Sequence, residues 1–152
     1  MSDILVTIAG IKGDSLDAFH PGAIEAHAWH WKVQQSPGAL CTPDGRGQRG
    51  AVSDLVFTHA VDRASPNLAA YCWKGQYISE IKLICRKAGG VPHEYLLYTM
   101  QGAMITKCQP IGGIGGTIEE VSIRFVRMKI EFVEQNALGG KGGTITTVID
   151  LS

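Results

Sequence analysis

Residues 62–90 read DRASPNLAAYCWKGQYISEIKLICRKAGG, and they combine a bounded helix signal with a strand signal that follows it directly. Ser65 is a residue type that accepts a hydrogen bond from a free amide at a helix start. Pro66 suits the first helical position, and Gly75 suits a left-handed position at the end. The apolar residues between them fall at helical spacing: Leu68, Tyr71 and Cys72. We therefore expect one short amphipathic helix here.

After the predicted helix, apolar residues recur at every second position. Ile81, Leu83 and Cys85 alternate with polar or charged residues, which is typical of a half-buried strand. The stretch therefore predicts a helix beside a sheet, and none of its residues is arranged for catalysis.

The totals of the chain argue against several classes of protein. Its 152 residues fit a single domain, residues 1–152, with a core large enough to fold without disulfides. Lysine plus arginine equals aspartate plus glutamate at 14 each, so no overall charge favours nucleic acid or an acidic membrane. The four cysteines are not closely spaced, and we interpret them mostly as core residues in a reducing compartment. The first residues, MSDILVTIAG, predict neither a signal peptide nor membrane insertion.

Residues 23–35 have two different faces if they form one strand. The bulky face is the expected core side and consists of His27, Trp29, Trp31 and Val33. The small and polar face consists of Ala26, Ala28, His30 and Lys32. We expect the second face to be exposed.

The rest of the chain reads as strands joined by turns. Residues 36–50 hold two prolines, four glycines and two arginines without periodicity, which predicts a long exposed loop suited to binding. Residues 119–135 give the longest strand signal. The alternation of apolar residues changes phase within it, which predicts a bulge near Val126 and Arg127. About eight strands and one short α-helix predict a mainly β protein, a closed or nearly closed antiparallel barrel with the helix packed on its side.

Neither glycine-rich motif predicts a cofactor site. GRGQRG at residues 45–50 matches a dinucleotide-binding pattern, but that site needs a strand before it and a helix after it, whereas here a loop precedes and a strand follows. GGKGGT at residues 139–144 lacks the serine or threonine that must follow the lysine of a phosphate-binding loop. We predict no cofactor.

The histidines predict neither a metal site nor a catalytic base. His27 and His30 would lie on opposite faces of one strand, so they cannot share a metal ion. No carboxylate or cysteine stands at ligand spacing from His59 or His93 in the sequence. A hydrolase that uses a histidine is therefore only a residual hypothesis.

Trp29 and Trp31 share a face and offer an alternative function. Two aromatic rings on one face can form a stacking platform, so a barrel that binds a carbohydrate or another small ligand is the competing hypothesis. Interior packing is the favoured interpretation of the pair.

Several blocks of the sequence resemble, in order and spacing, the Hcp family, the hemolysin-coregulated tube proteins of bacterial type VI secretion. The blocks are IAGIKGDS (8–15), AHAWHWKVQQS (26–36), DRASPNL (62–68), IKLICRKAGG (81–90) and EYLLYTM (94–100). The resemblance runs from Asp3 to about Val133. It implies a barrel of two sheets, a ring of six copies, and stacked rings that a contractile sheath drives out of the cell. It also implies a capping spike trimer, small effector proteins carried in the lumen, a structural role without enzymatic activity, and secretion from the cytoplasm without a signal peptide.

The resemblance also assigns residues to surfaces. It places the small polar face, Ala26, Ala28, His30 and Lys32, on the lumen wall in contact with effectors. It makes residues 36–50 the loop that reaches a neighbouring subunit or the next ring. Four residues of that loop replace a more glycine-rich pattern: Leu40, Cys41, Arg46 and Arg49.

Apolar residues on both faces of residues 94–101 indicate assembly independently of the resemblance. Leu97 shares one face with Tyr95, and Leu96 shares the other with Tyr98. A lone small barrel would expose one of these sets. We expect Ile84, Leu96 and Tyr98 to lie at a subunit interface of a ring built by head-to-tail contacts.

Overall fold

A computed structural model describes residues 2–45, 47–88 and 92–152. Its strands are β1 (Ser2–Ile8), β2 (Ile24–His30), β3 (Val33–Gln34), β4 (Ala51–Val52), β5 (Leu55–Ala60), β6 (Ile78–Lys87), β7 (His93–Gly113), β8 (Gly116–Arg124), β9 (Arg127–Gln135) and β10 (Lys141–Asp150), and its helix is α1 (Ser65–Lys74). Arg46 of the long loop and the Gly89–Gly90 turn lie outside the described residues. Across those ranges, no helix is both long enough and apolar enough to cross a membrane.

Six strands close an antiparallel barrel in the order β7-β6-β1-β2-β5-β8, because β8 pairs back onto β7. β9 also pairs with β7, and β10 pairs with β9; we call these two strands the wing. β3 and β4 form a separate two-stranded ribbon, and α1 packs beside β7. The predicted antiparallel barrel with one short helix at its side is confirmed.

The helix ends as predicted but begins differently. Gly75 follows α1 with a φ of 60°, so the predicted left-handed end is confirmed. The predicted cap is wrong, because Ala64 holds the N-cap position and Ser65 is the first helical residue. The Ser65 hydroxyl instead accepts a hydrogen bond from the Asp62 N–H at 3.1 Å, and the Asp62 carboxylate accepts one from the Ala64 N–H at 2.9 Å. These two bonds close the turn that leads into the helix.

The side chains of β2 do not alternate regularly between two faces, as was predicted for residues 23–35. Its pairing with β5 shifts between Ala26 and Ala28, which leaves His27 as an extra residue at a bulge. Ala26 therefore packs against the core and His27 is exposed, the reverse of the prediction. After the bulge, Trp29 and Trp31 pack against the core as predicted. The exposed residues of the predicted small face are Ala28, His30 and Lys32.

β7 is a single strand of 21 residues that bends at Gly102, where φ is 62°. The chain that pairs with it bends at the same place, between β8 and β9. The pairs on either side of the bend are Gln101–Arg127 and Met104–Arg124. The register is unchanged across the bend, so the bulge predicted near Val126 and Arg127 is wrong: no residue is inserted, and both chains turn together.

The two bends pack directly on each other. The Val126 N–H donates to the carbonyls of Gln101 and Gly102 at 3.1 and 3.2 Å. A Cβ atom at Gly102 would lie only 3.1 Å from the Val126 Cβ. On one side of the bend, β8 pairs with β7 and with β5 and closes the barrel. On the other side, β9 pairs with β7 and forms the wing.

The barrel encloses the main core, and a smaller apolar cluster lies on the outer face of the sheet. The largest fully buried residues of the main core include Leu55, Phe57, Ile81, Leu83, Met100, Ile123 and Met128. The outer cluster consists of Leu5, Ala23 and Ile84, with Leu97 packed against it. Both faces of β6 are therefore buried near Ile84.

We predict that Gly102→Ala destabilises the protein. A positive φ is unfavourable for any residue with a Cβ, and the added atom also crowds Val126, so the loss should be about 1–3 kcal/mol in the free energy of unfolding. Urea denaturation followed by tryptophan fluorescence measures it.

Gly112→Ala is the matched control in the same strand. Its Cβ would lie 3.7 Å from the Thr117 hydroxyl, an ordinary contact, and its φ is not positive. If both variants lose the same free energy of unfolding, the bend at Gly102 has no special role.

Candidate functional surfaces

The outer side of β2 is the surface that the resemblance assigned to effectors. Ala28 and His30 are exposed there on the same side of the strand. Ala26 does not share this side, because the bulge turns it toward the core. Lys32 lies beyond the end of β2, where its N–H donates to the Ser53 hydroxyl at 2.8 Å. Ala28, His30 and Lys32 are therefore exposed as predicted and Ala26 is not, while their contact with effectors stays a prediction.

Trp29 and Trp31 do not form an open platform. Both rings meet Tyr98 edge-on, with centroids 5.0 and 5.7 Å apart and interplanar angles of 69° and 80°. Both are partly buried against the main core, whereas Val33, predicted to be buried with them, is exposed. A stacked ligand needs an accessible ring face, so this geometry favours the packing interpretation.

The residues assigned to a subunit interface are largely buried within the protein. Tyr98 belongs to the main core, Ile84 belongs to the outer cluster, and Leu96 is packed against the main core. The pairing of β7 with β6 shifts after Cys85, so Tyr95 is an extra residue and faces the core together with Leu96. The predicted accessibility of Ile84 and Tyr98 is wrong, because the apolar faces are covered by the chain itself.

The long loop, residues 36–50, is exposed as predicted in its described residues. Leu40 is 88% exposed, and Cys41 and Arg49 are also exposed. The Arg49 guanidinium donates to the Asp150 carbonyl, which ties the base of the loop to the end of β10. Arg46 lies outside the described residues.

The wing carries an exposed apolar surface that the sequence pattern did not predict. Phe132 and Ile145 lie directly opposite each other, on the side that faces the main core, and are 44% and 62% exposed. Among the described residues, the outer edge of β10 pairs with no other strand. Residues 144–149 are all β-branched, and no charged residue stands between 142 and 149. That uncharged run was the signal available in the sequence, because edge strands are usually protected by charges.

A buried arginine holds residues 9–23, which we call the strap, against the outer face of the sheet. Arg86 is only 7% exposed; its Nη2 donates to Asp17 Oδ1 at 2.5 Å and its Nε to Asp3 Oδ2 at 3.0 Å. A second tie joins His20 Nε2 to Glu94 Oε2 at 2.6 Å. The hydrogen bond from Arg86 is the main cause that lowers the pKa of Asp17 to about 2, and the same contact raises the pKa of Arg86.

A second buried polar cluster lies inside the barrel and consists of His59, Cys108 and Glu119. His59 is fully buried, with Nε2 2.8 Å from Glu119 Oε1, and the Cys108 thiol donates to Glu119 Oε2 at 3.3 Å. The sequence analysis missed this carboxylate because it reaches His59 through the pairing of β5 with β8. Burial is the main cause that raises the pKa of Cys108 to about 12, so the thiol is protonated at neutral pH.

Within residues 2–45, 47–88 and 92–152, no group of three or more side chains could hold a metal ion.

Comparison with known proteins gives the class of protein that this barrel belongs to. A family model described as "Type VI secretion system effector, Hcp" matches residues 5–132. The chain belongs to the Hcp family of type VI secretion proteins. The recognition made from the sequence blocks is thereby confirmed.

Individual relatives match nearly the whole chain. Protein hcp1 of Pseudomonas aeruginosa is 33% identical over 145 residues, which cover 93% of this chain and 89% of that protein. The crystal structure of Hcp1 from Salmonella typhimurium is 37% identical with a TM-score of 0.82 and covers 99% of this chain and 94% of that one. A type VI secretion system effector from Yersinia pestis is 34% identical with a TM-score of 0.81 and covers 97% and 99%.

We predict that the contact between the strap and the sheet makes stability depend on pH. The Asp17 pKa falls from 3.8 to about 2 on folding. Its stabilising contribution is therefore fully present above about pH 4 and is lost as pH falls toward about 2. Asp17→Asn should lower the Tm at pH 7, and the difference from the unchanged protein should narrow as pH is lowered to 3.

Asp14→Asn is the control within the strap, because Asp14 is exposed and makes no ion pair in the described part of the chain. It should leave the Tm at pH 7 nearly unchanged. A Tm difference for Asp17→Asn that stays constant from pH 7 to pH 3 would rule out the proposed contribution of the carboxylate.

Proposed function

We propose that this protein is a structural subunit of the inner tube of a type VI secretion system, assembling as rings of six copies that stack. The observation that carries the proposal is the wing, which has an apolar face and an edge without a partner strand in the described structure. Membership of the Hcp family supports a place in type VI secretion, and the wing supplies a reason for the chain to self-associate.

The edge of β10 is suited to pairing with another chain. An unpaired strand presents a row of backbone N–H and C=O groups, and natural edges are usually blocked by charges, prolines or bulges. Residues 142–149 contain neither a charge nor a proline. Phe132 and Ile145 lie beside this edge, so a neighbouring copy could satisfy the backbone groups and cover the apolar side chains in one contact. We infer that this edge meets a different surface of the neighbouring copy, because a head-to-tail contact of that kind builds a ring.

The remaining parts of the proposal concern the lumen and the partners. Ala28 and His30 are small or polar and exposed, which fits a wall that touches cargo without trapping it. Small effector proteins would occupy the lumen, a contractile sheath would surround the tube, and a spike trimer would cap it. The role is structural rather than enzymatic, and the protein leaves the cytoplasm through the secretion apparatus.

We predict that Ile145→Lys prevents assembly while leaving the protein folded. Ile145 is already 62% exposed, so a lysine costs little within one copy, but it would place a charge at the apolar contact. The concentration needed for half-assembly should rise at least about tenfold, which corresponds to about 1.4 kcal/mol per contact. Analytical ultracentrifugation measures assembly, and circular dichroism checks the fold.

Val148→Lys is the matched control. Val148 is also exposed and stands in the same strand, but it pairs with Lys129 on the opposite side of the sheet. It should weaken assembly less than Ile145→Lys. If Ile145→Lys assembles as well as the unchanged protein, the wing is not the contact.

A further inference from the structure

Two cysteines from distant parts of the chain approach each other where α1 packs beside β7. The Cα atoms of the helix and of this strand come within 8 Å of each other. At its start, β6 pairs Ile78 with Ala103, so the residues of β7 after Ala103 run past the beginning of β6 toward the end of α1. Cys72 stands six residues before Ile78, and Cys108 stands five residues after Ala103. The topology therefore places both cysteines at the junction of helix and strand.

The side chains of both cysteines point to the same core. The pairing of β7 with β8 leaves Thr106 as an extra residue, so Lys107 is exposed and Cys108 packs against the main core. Cys72 packs against that core from α1, and both are free thiols that are only partly buried. Burial, the hydrogen bond to Glu119 and the nearby Cys72 thiol all raise the pKa of Cys108. Because an electrostatic influence between two thiols is strong only at short range, the two sulfur atoms are neighbours.

The carboxylate of Glu119 is placed to accept the proton of Cys108. The thiol donates to Glu119 Oε2 at 3.3 Å, and the other oxygen, Oε1, lies 2.8 Å from His59 Nε2. Glu119 is only 3% exposed, so these two contacts hold the carboxylate in one orientation. A protonated thiol is a poor nucleophile, and a base within hydrogen-bond distance overcomes that barrier. Cys108 is therefore suited to a reaction in which its proton leaves as its sulfur attacks.

We propose that Cys72 and Cys108 form a redox pair that closes to an intramolecular disulfide when the protein meets a low-molecular-weight disulfide, with Glu119 as the base. The new bond joins α1 to β7 and locks the helix onto the barrel. The reaction takes place within a single copy and is independent of the proposed function, because neither cysteine belongs to the wing or to the exposed side of β2.

The reaction consists of two thiol–disulfide exchange steps. In the first step, Cys72 loses its proton to water and its sulfur attacks the small disulfide, which forms a mixed disulfide and expels one small thiolate. In the second step, the Cys108 proton moves to Glu119 Oε2 while the Cys108 sulfur attacks Cys72 Sγ and expels the second small thiolate. Both thiolates take protons from water, and Glu119 returns the proton that it received. Two protein thiols are thereby oxidised by two electrons, and the small disulfide is reduced to two thiols.

Oxidised glutathione is the probe that tests the pairing. The full chain carries Cys41→Ser, because the exposed Cys41 would otherwise compete for the oxidant. After incubation, free thiols are alkylated and the peptides are mapped by mass spectrometry without reduction. We expect a linked peptide that joins Cys72 to Cys108. Cys85 should stay free, because it is 2% exposed and burial raises the pKa of its thiol. Glutathione retained on Cys72 with Cys108 still free, or no reaction at either thiol, would overturn the proposal.

Glu119→Gln separates the role of the base from the role of packing. This variant keeps the shape of the side chain and should leave formation of the mixed disulfide at Cys72 unchanged. The closing step should slow at least about tenfold, so the mixed disulfide should accumulate. Glu120→Gln is the matched control, because Glu120 is the next residue of β8 and pairs with the exposed Lys107 instead. Equal closing rates in the two variants would overturn the proton transfer to Glu119.

The stability of the oxidised protein tests the lock itself. A disulfide between Cys72 and Cys108 closes a long loop, so the oxidised protein with Cys41→Ser should melt at least about 5 °C above its reduced form. Dithiothreitol should remove the difference, and Cys72→Ser, which cannot close the bond, should show none. A Tm that falls on oxidation would mean that the bond forms only in a distorted or unfolded chain, and it would overturn the proposal.

Discussion

The paired bend at Gly102 and Val126 is the constraint on which the rest of the structure depends. One edge of β7 pairs with both β8 and β9, and these two strands separate only because both chains turn at the same point. The turn requires a left-handed residue against which Val126 can pack at close range, and glycine meets that requirement. The bend turns the second half of β7, together with β8, out of the line of β9, and β8 then pairs with β5 on its other edge and closes the barrel.

Closure of the barrel also determines where the protein can interact. Once β8 has paired with β5 and β7, the wing is the part of the main sheet that still has an unpaired edge within the described residues. The strap covers the outer face around Ile84 and is held there by Arg86, so that face is not available to a neighbour. In the proposed assembly, the wing and the exposed loops are surfaces that remain available for contacts between copies. The burial of Ile84 and Tyr98 is therefore compatible with the proposed assembly.

The sequence predicted the parts of the fold that local patterns control. Gly75, the strand at Ile81 to Cys85 and the long loop each follow from residue type or period and are found in the structure. The errors arise where two distant segments adjust to each other. The bulge at His27 depends on pairing with β5, and the bend at Val126 depends on a glycine 24 residues earlier. The expected exposure of Ala26, Ile84 and Tyr98 is wrong for the same reason, since alternation along one strand does not show which segment will cover it.

The proposed function requires that this barrel form a ring through one repeated head-to-tail contact. Native mass spectrometry of the purified full chain, combined with electron microscopy of the same sample, tests it most directly. We expect a species of six copies and annular particles with an open centre. A mass of one copy at every concentration tested, with no annular particles, would contradict it.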